Sequence, residues 1–345
     1  MATVGNWRQQ LKFDPISPLI SCADEALQYF ARRDLLGEQV GPVQRLWTLP
    51  GAQKILKKQQ ANGSWARPGK HEHPAINHPL IETWRQFRFL VEQYGFTRQS
   101  PSAARAAEFI FSCQTDEGDI RGFLANQYMA YYMGAIMALL IQAGYADDPR
   151  VVKGLDWLLS MRQDDGGWSI PLITHKLDRE TQYRLASEYA EPMQLDRSKP
   201  FSHNATGMVL RAFAVHPEYR YTAEARVAAN LLTSRFFQPD CYTSYQAASY
   251  WVRFDYPFWW NNLVAALDSV SLIGLSRDDE QMGRALRWLV DHQEENGLWR
   301  ASYSLDAGGS AGAQEKERLS EAAKVREVKA WVSLAICRIF RRLYG

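Results

Sequence analysis

The sequence predicts an all-α protein made of repeated helix pairs. One local turn recurs four times along the 345 residues. The stretches around it place apolar residues three and four apart, the helical spacing. No sustained two-residue alternation is found, so almost no sheet is expected.

The four turns are KKQQANGSW (57–65), FSCQTDEGDI (111–120), SMRQDDGGW (160–168) and VDHQEENGLW (290–299). Each ends a helical stretch with Gln, two or three polar residues, Gly, one more residue and usually Trp; Ile120 replaces Trp in the second copy. The degenerate FFQPDCYT (236–243) lies between the third and fourth. The first helix of each pair reads from AQKILKK (52–58), AARAAEFIFS (103–112), RVVKGLDWLLSM (150–161) and QMGRALRWLVDH (281–292). Gly closes it because it accepts positive φ. A second, more apolar helix follows in PLIETWRQFRFLVEQYG (79–95), QYMAYYMGAIMALLIQAG (127–144), NATGMVLRAFAV (204–215), PFWWNNLVAALDSVSLIG (257–274) and VREVKAWVSLAICRIFRRL (325–343). About ten to twelve helices are expected from this periodicity.

Such an alternation has two solutions, an open solenoid or a closed double ring with the apolar helices inside. A helix apolar on all sides needs burial on all sides, which favours the ring. The Gln amide of each turn is expected to satisfy orphan backbone groups while the indole packs over it. A single domain over 1–345 is expected, with an opening segment 1–48 and insertions at 169–201 and 303–324. Each insertion joins a turn to an apolar helix and is a candidate lid.

Composition narrows the function classes. Lys and Arg number 40 against 38 Asp and Glu, a net charge of +2, which gives no electrostatic case for nucleic acid. There is no apolar run of about 18 residues and no secretory h-region at the start. Cys22, Cys113, Cys241 and Cys337 are scattered, which fits reduced thiols in a cytoplasm. Phosphate-loop, dinucleotide-fold and nucleophile-elbow signatures are absent. The aromatic content is high: 12 Trp, 16 Tyr and 15 Phe.

The Gln-x(2–3)-Gly-x-Trp turns resemble the QW repeats of squalene–hopene and oxidosqualene cyclases, and related turns of protein prenyltransferase β subunits. The resemblance spans roughly residues 50–340, and DEALQYFARRDLLG (24–37) resembles the first helix of small squalene-cyclase-like proteins. It implies an α/α toroid around an apolar cavity, an isoprenoid ligand and no cofactor. The fold does not fix the chemistry. Cyclases of this kind protonate an alkene or epoxide with the middle Asp of D-x-D-D-T. That motif is missing. At the matching helix start, SHNATGMVLRAF (202–213) offers Ser202, Asn204 and Ala205 in place of the acids, with Thr206 kept.

Asp255, in WVRFDYPFWWNN (251–262), is the replacement candidate, since burial beside Trp259 and Trp260 would favour its protonated form and aromatic faces stabilise cations. Helix capping is the competing role for it. His203 is a second candidate, as an acid–base group or a cap. Trp84, Tyr128, Tyr132, Trp259 and Trp260 are candidate lining residues, with Phe87, Tyr131 and Trp331 on the same helices; aromatics at helical spacing also simply fill a core. Asn126, Asn204, Asn261 and Asn262 are the candidate polar anchors. Metal chemistry finds little support. Asp240–Cys241 in PDCYTSYQ (239–246) falls one residue short of the prenyltransferase spacing and has no partner His, and His71, His73 and His78 fit no zinc module. The expected partner is thus an apolar small molecule; a partner subunit and a membrane contact through RIFRRLY (338–344) are weaker candidates. Two other classes stay open: a lipid-binding toroid without an acid, and a carbohydrate-active toroid, which needs paired carboxylates about 5–10 Å apart.

Overall fold

A computed structural model describes residues 6–69, 73–242, 247–305 and 319–345, with the backbone alone at 6 and over 319–326. Among these residues there are helices and no strand, as the sequence predicts. The α-helices are α1 (Ile16–Ile20), α2 (Glu25–Ala31), α3 (Pro50–Leu56), α4 (His78–Tyr94), α5 (Pro101–Phe111), α6 (Ala130–Leu140), α7 (Pro149–Ser160), α8 (Pro171–Thr174), α9 (Arg179–Ser187), α10 (His203–Val215), α11 (Ala223–Ser234), α12 (Leu263–Ile273), α13 (Glu280–Asp291) and α14 (Leu319–Tyr344).

The starts obey local chemistry. Asp24, Asn77, Ser100, Asp148, Ser202, Asn262 and Asp279 each accept a first-turn N–H with the side chain. Two kinds of helix are present, buried on one face or buried all round. In α5 the buried residues are Ala103, Ala106, Ala107, Ile110 and Phe111, and in α13 Met282, Ala285, Leu286 and Leu289, a single stripe each. In α6 every residue but Tyr132 is buried, and every residue of α10 but Val215.

The chain divides into two compact units. One comprises Pro42–Leu231 and Cys241–Thr243; the other comprises Met1–Gly41, Leu232–Asp240 and Ser244–Gly345. In the first, α6 lies directly on α10: a Cβ on Gly134 would sit 2.4 Å from Val209 Cα, so only glycine permits the approach.

The repeated turn has one geometry. Gln59 Nε2 donates to Gly63 O within its turn at 3.0 Å and to Ser102 O at the start of α5 at 2.8 Å. Gln114 Nε2 likewise reaches Gly118 O at 2.7 Å and Arg150 O in the first turn of α7 at 2.9 Å. Gln293 Nε2 reaches Gly297 O at 2.9 Å and Phe13 O at 3.0 Å, while its Oε1 accepts from Lys12 N and Phe13 N. Gln163 differs: it donates to Asp196 O and Lys199 O, so the 169–201 insertion stands where another helix start would. The indoles of Trp65, Trp168 and Trp299 donate to carbonyls ten residues back, Ile55, Leu158 and Leu289. Their backbone N–H groups donate to hydroxyls on the next apolar helix, Thr83, Thr206 and Ser333. At the second turn Ile120 N meets Met133 Sδ instead.

In the other unit, α14 packs on α2 and α12. Asp24 caps α2 with one oxygen and accepts the Trp331 indole N–H with the other at 2.8 Å. Arg338 pairs with Asp34 at 2.6 Å. Burial, the strongest influence on Asp34, disfavours its charge, but Arg338 and Arg33 outweigh it and hold the carboxyl below the ordinary range. The apolar part of RIFRRLY faces this unit's interior: Ile339 and Phe340 are buried and Arg342 pairs with Asp268. No helix among the described residues is long and apolar enough to cross a membrane.

Two predictions follow from these packings. Gly297 has φ +83°, and a Cβ there would lie 2.1 Å from Asp14 O; Gly297→Ala is expected to destabilise by about 2 kcal/mol or more, read as a lowered Tm and faster proteolysis near residues 12–14. Asp34 has a lowered folded-state value, so its contribution is present above the ordinary carboxylate range and is lost as pH falls through the folded value. Asp34→Asn should therefore be less stable than the parent at neutral pH, with the gap shrinking in denaturant titrations taken below about pH 4.

Candidate functional site

Within the larger unit, an aromatic cluster forms between α4, the turn after Ile120 and α6. Trp84 meets Tyr132 edge-on at 5.2 Å and Phe123 at 5.8 Å, and Phe123 stacks on Tyr132 at 4.3 Å. Tyr131 meets Tyr132 at 4.3 Å. The Arg88 guanidinium, one turn after Trp84, lies 5.5 Å from the Trp84 ring. Trp84 is fully buried, whereas Tyr132 is the one residue of α6 that keeps accessible surface.

Tyr128 is placed elsewhere. Its hydroxyl donates to Glu117 at 2.8 Å, its ring lies under Arg121 at 4.8 Å, and it leans on Trp157 of α7. Arg121 holds Asp119 and Glu117 together, at 2.9 and 2.7 Å. Burial and the Glu117 carboxylate both raise the Tyr128 proton affinity. Asn126 and Gln127 beside it donate to Ala190 O and Glu191 O, and Met193 N donates back to Gln127. Together with Gln163, these bonds strap residues 190–199 across the second and third turns. The strap continues into α9, where Tyr183 meets His73 at 3.1 Å. His71 lies outside the described residues, as does most of the 303–324 insertion.

His203 and Asn204 open α10 behind the Ser202 cap, and both are buried. Trp168 is pinned there: its carbonyl accepts from Ser202 N at 2.9 Å and from Thr206 Oγ1 at 3.2 Å.

In the smaller unit, residues 257–262 precede the helix instead of joining it, because Asn262 is the cap of α12, accepting from Val264 N and Ala265 N. Asp255 organises that loop. Its Oδ2 accepts from Trp259 N at 2.8 Å and its Oδ1 from Asn262 Nδ2 at 3.0 Å. Trp259 and Trp260 are half-buried and meet each other edge-on at 6.2 Å; Asn261 is buried. A carboxyl that the periodicity gave no reason to single out is Glu327 on α14. Its side chain is exposed, yet desolvation by the protein around it first, and the nearby Asp24 second, raise its proton affinity above that of an ordinary glutamate. The signal that would find it is tertiary: Asp24 and Glu327 are 303 residues apart and meet only through the docking of α2 on α14.

Among the described residues, no group of three or more His, Cys, Asp or Glu is placed to hold a metal ion. Cys241 is exposed and Cys337 buried. An open polar cleft of about 660 Å³ adjoins the fourth turn, lined by Asp291, His292, Glu294, Arg300 and Tyr303 among others, and it contains none of the nominated aromatic residues. Burial pushes the Tyr303 phenol up to about 12.

The double use of Asn262 sets a test. Asn262→Ala is expected to cost about 1–3 kcal/mol through loss of the cap and of one Asp255 partner. Asn262→Ser, which keeps a capping oxygen, should recover part of it in thermal melts.

Known proteins match this chain over a limited stretch. Residues 76–187 match the squalene–hopene cyclase C-terminal domain family. A probable squalene–hopene cyclase of Sinorhizobium fredii is 30% identical over 110 residues, 31% of this chain and 17% of that cyclase. The squalene–hopene cyclase of Bradyrhizobium diazoefficiens is 28% identical over 110 residues, 31% of this chain and 16% of the cyclase. The matched part thus spans about one-sixth of these curated relatives. Among solved structures, the type II terpene cyclase MstE from Scytonema, in complex with geranylgeranyl dihydroxybenzoate, is 14% identical with a TM-score of 0.45, covering 98% of this chain and 89% of that one. A polysaccharide lyase is 13% identical with a TM-score of 0.46, covering 92% and 89%. The segment that carries Trp84, Phe123 and Tyr132 is therefore similar to a squalene–hopene cyclase C-terminal domain.

Proposed function

We propose that this terpene-cyclase-like protein accepts an isoprenoid or polycyclic lipid in an apolar cavity, without the D-x-D-D acid of its relatives. The observation that carries the reading is Tyr132. It is the one accessible side chain of an otherwise buried helix, and it stacks within the Trp84–Phe123 cluster inside the stretch similar to cyclases. An accessible aromatic ring on a buried helix is a wall that an apolar ligand covers at little desolvation cost. Its π faces suit a polyene or a cation derived from one.

Binding without cyclisation is the simpler form of the reading. Both oxygens of Asp255 accept hydrogen bonds that shape the 255–262 loop, and a carboxyl used that way is a positioning group. His203 and Asn204 bring no carboxylic acid to the start of α10. Turnover, where it occurs, would call on Asp255 or His203.

Native mass spectrometry of the purified protein should release an isoprenoid or related apolar lipid on denaturation. Tyr132→Ala should weaken binding of added farnesol by about tenfold, because it removes the accessible ring, while Trp84→Phe inside the buried cluster should show as a lowered Tm. A protein that purifies empty and does not bind farnesol would overturn the reading. Incubation with squalene and with geranylgeraniol, followed by product analysis, separates binding from cyclisation. A cyclic product that disappears in Asp255→Asn would make Asp255 the acid, and one that persists would remove it from that role.

A further inference from the structure

The fourth turn carries side chains that its frame does not require. Five places before the turn glutamine stand Lys54, Phe109 and Leu158 in the first three copies, and Trp288 in the fourth. Just before the glutamine stand Lys58, Cys113 and Arg162, and then His292. Four places after Trp65, Ile120 and Trp168 stand Gly69, Leu124 and Leu172; four places after Trp299 stands Tyr303. The first two turns make their glutamine bonds to glycine without these rings, so the rings are an addition to the fourth. His292 and Tyr303 line the open cleft of about 660 Å³ beside that turn. Trp288 backs them: His292 lies flat on it at 3.9 Å, and Tyr303 meets both rings edge-on at 5.2 Å.

The hydrogen bonds decide what these groups offer. His292 Nδ1 lies 2.8 Å from Trp288 O. A carbonyl only accepts, so Nδ1 bears the proton and the neutral ring keeps the Nε2 lone pair for a ligand. The Tyr303 hydroxyl accepts from Arg300 N at 2.7 Å and donates to His292 O at 3.0 Å. Its polar end is spent on the turn, and what remains for the cleft is a carbon ring. Two of the three lining carboxylates are already neutralised, Asp291 by Lys12 at 3.0 Å and Glu294 by Arg300 at 2.5 Å. The third, Glu295, is exposed, where water screens its charge. A cation therefore gains little here. The Glu294–Arg300 pair is joined through Oε1 and Nε, which leaves an acceptor oxygen beside guanidinium donors. Neighbouring acceptors and donors suit hydroxyl groups, which do both, and a bare aromatic ring suits the C–H face of a sugar. The volume falls within the ordinary range of small-ligand sites, about 300–1,000 Å³. We propose that the cleft of the fourth turn binds a neutral saccharide, with hydroxyls on His292 Nε2 and on the Glu294–Arg300 pair and a sugar ring against Tyr303. The site is independent of the lipid reading, since it contains none of the aromatic residues on which that reading stands.

Saturation-transfer NMR with cellotriose, maltotriose and xylotriose tests it, with calorimetric titration of spermidine as the cationic control. At least one trisaccharide is expected to bind with a Kd of about 1 mM or tighter. His292→Phe keeps a ring on Trp288 and removes Nε2; it should weaken that binding by about fivefold. Arg300→Lys keeps the charge and loses the planar fork, with a loss of similar size. Each variant is read beside its Tm, and Arg300→Lys carries the test if His292→Phe does not fold. Binding of no trisaccharide, binding of spermidine in their place, or trisaccharide binding unchanged in the folded variants would overturn the proposal.

Discussion

The glutamine amide of the repeated turn is the bond on which the architecture depends. A helix end leaves carbonyls without partners, and so does the exposed backbone of the turn behind it. One primary amide carries two donor hydrogens and can serve both at once. Gln59, Gln114 and Gln293 each divide their N–H groups between the turn's own glycine carbonyl and a carbonyl of a separate segment. The glycine must then lie flat against that segment, with positive φ and no side chain, as at Gly63, where a Cβ would come within 2.1 Å of Arg105 O. The indole behind it closes the turn onto its own helix. Three of the four turns therefore each fix a separate segment through hydrogen bonds at least partly shielded from water, where they are stronger.

That rigid frame makes the local departures informative. At the third repeat Gln163 binds the insertion instead of a helix start, and Asn126 and Gln127 bind the same insertion a few residues earlier, at Ala190 and Glu191. Side-chain amides thus hold the later part of the insertion, residues 190–199, to the second and third turns. The nominated polar residues divide in the same manner between work for the frame and work for a ligand. Asn262 and Asp255 serve the frame, and the loop they hold presents Trp259 and Trp260. Tyr128 belongs to an ionic cluster with Glu117 and Arg121.

Much of the frame was legible in the sequence. Gln, Gly and Trp recur at short fixed spacing because the turn is local, and caps such as Asp148 and Ser202 lie immediately before the helices that they start. The hydroxyls that receive the Trp backbone N–H were not legible. Thr83, Thr206 and Ser333 follow their tryptophans by 18, 38 and 34 residues, so tertiary packing sets the pairing and no spacing rule does. The start of α12 was misjudged for a related reason: the aromatic run from Phe258 to Trp260 satisfies helical periodicity, yet the bonds from Asp255 keep it out of the helix. The aromatic cluster was half legible: Trp84 and Tyr132, nominated together, meet in it, while Tyr128, nominated with them, packs on Trp157 and Arg121.

The fourth turn has a consequence for how the chain is made. Its glutamine is bound to residues 12 and 13, across 280 intervening positions. At a ribosomal pace of about 5–20 residues per second, tens of seconds separate the appearance of the two partners. Throughout that interval the early segment lacks the amide that will hold it, and α2 lacks the helix that will cover it. A nascent chain of this protein must therefore carry exposed apolar surface from Ile16, Leu19 and Leu27 until the fourth turn and α14 have been made. Closing so long a loop adds only a logarithmic entropy cost, so the penalty is one of time and of exposure to chaperones and to neighbouring chains, and hardly one of final stability.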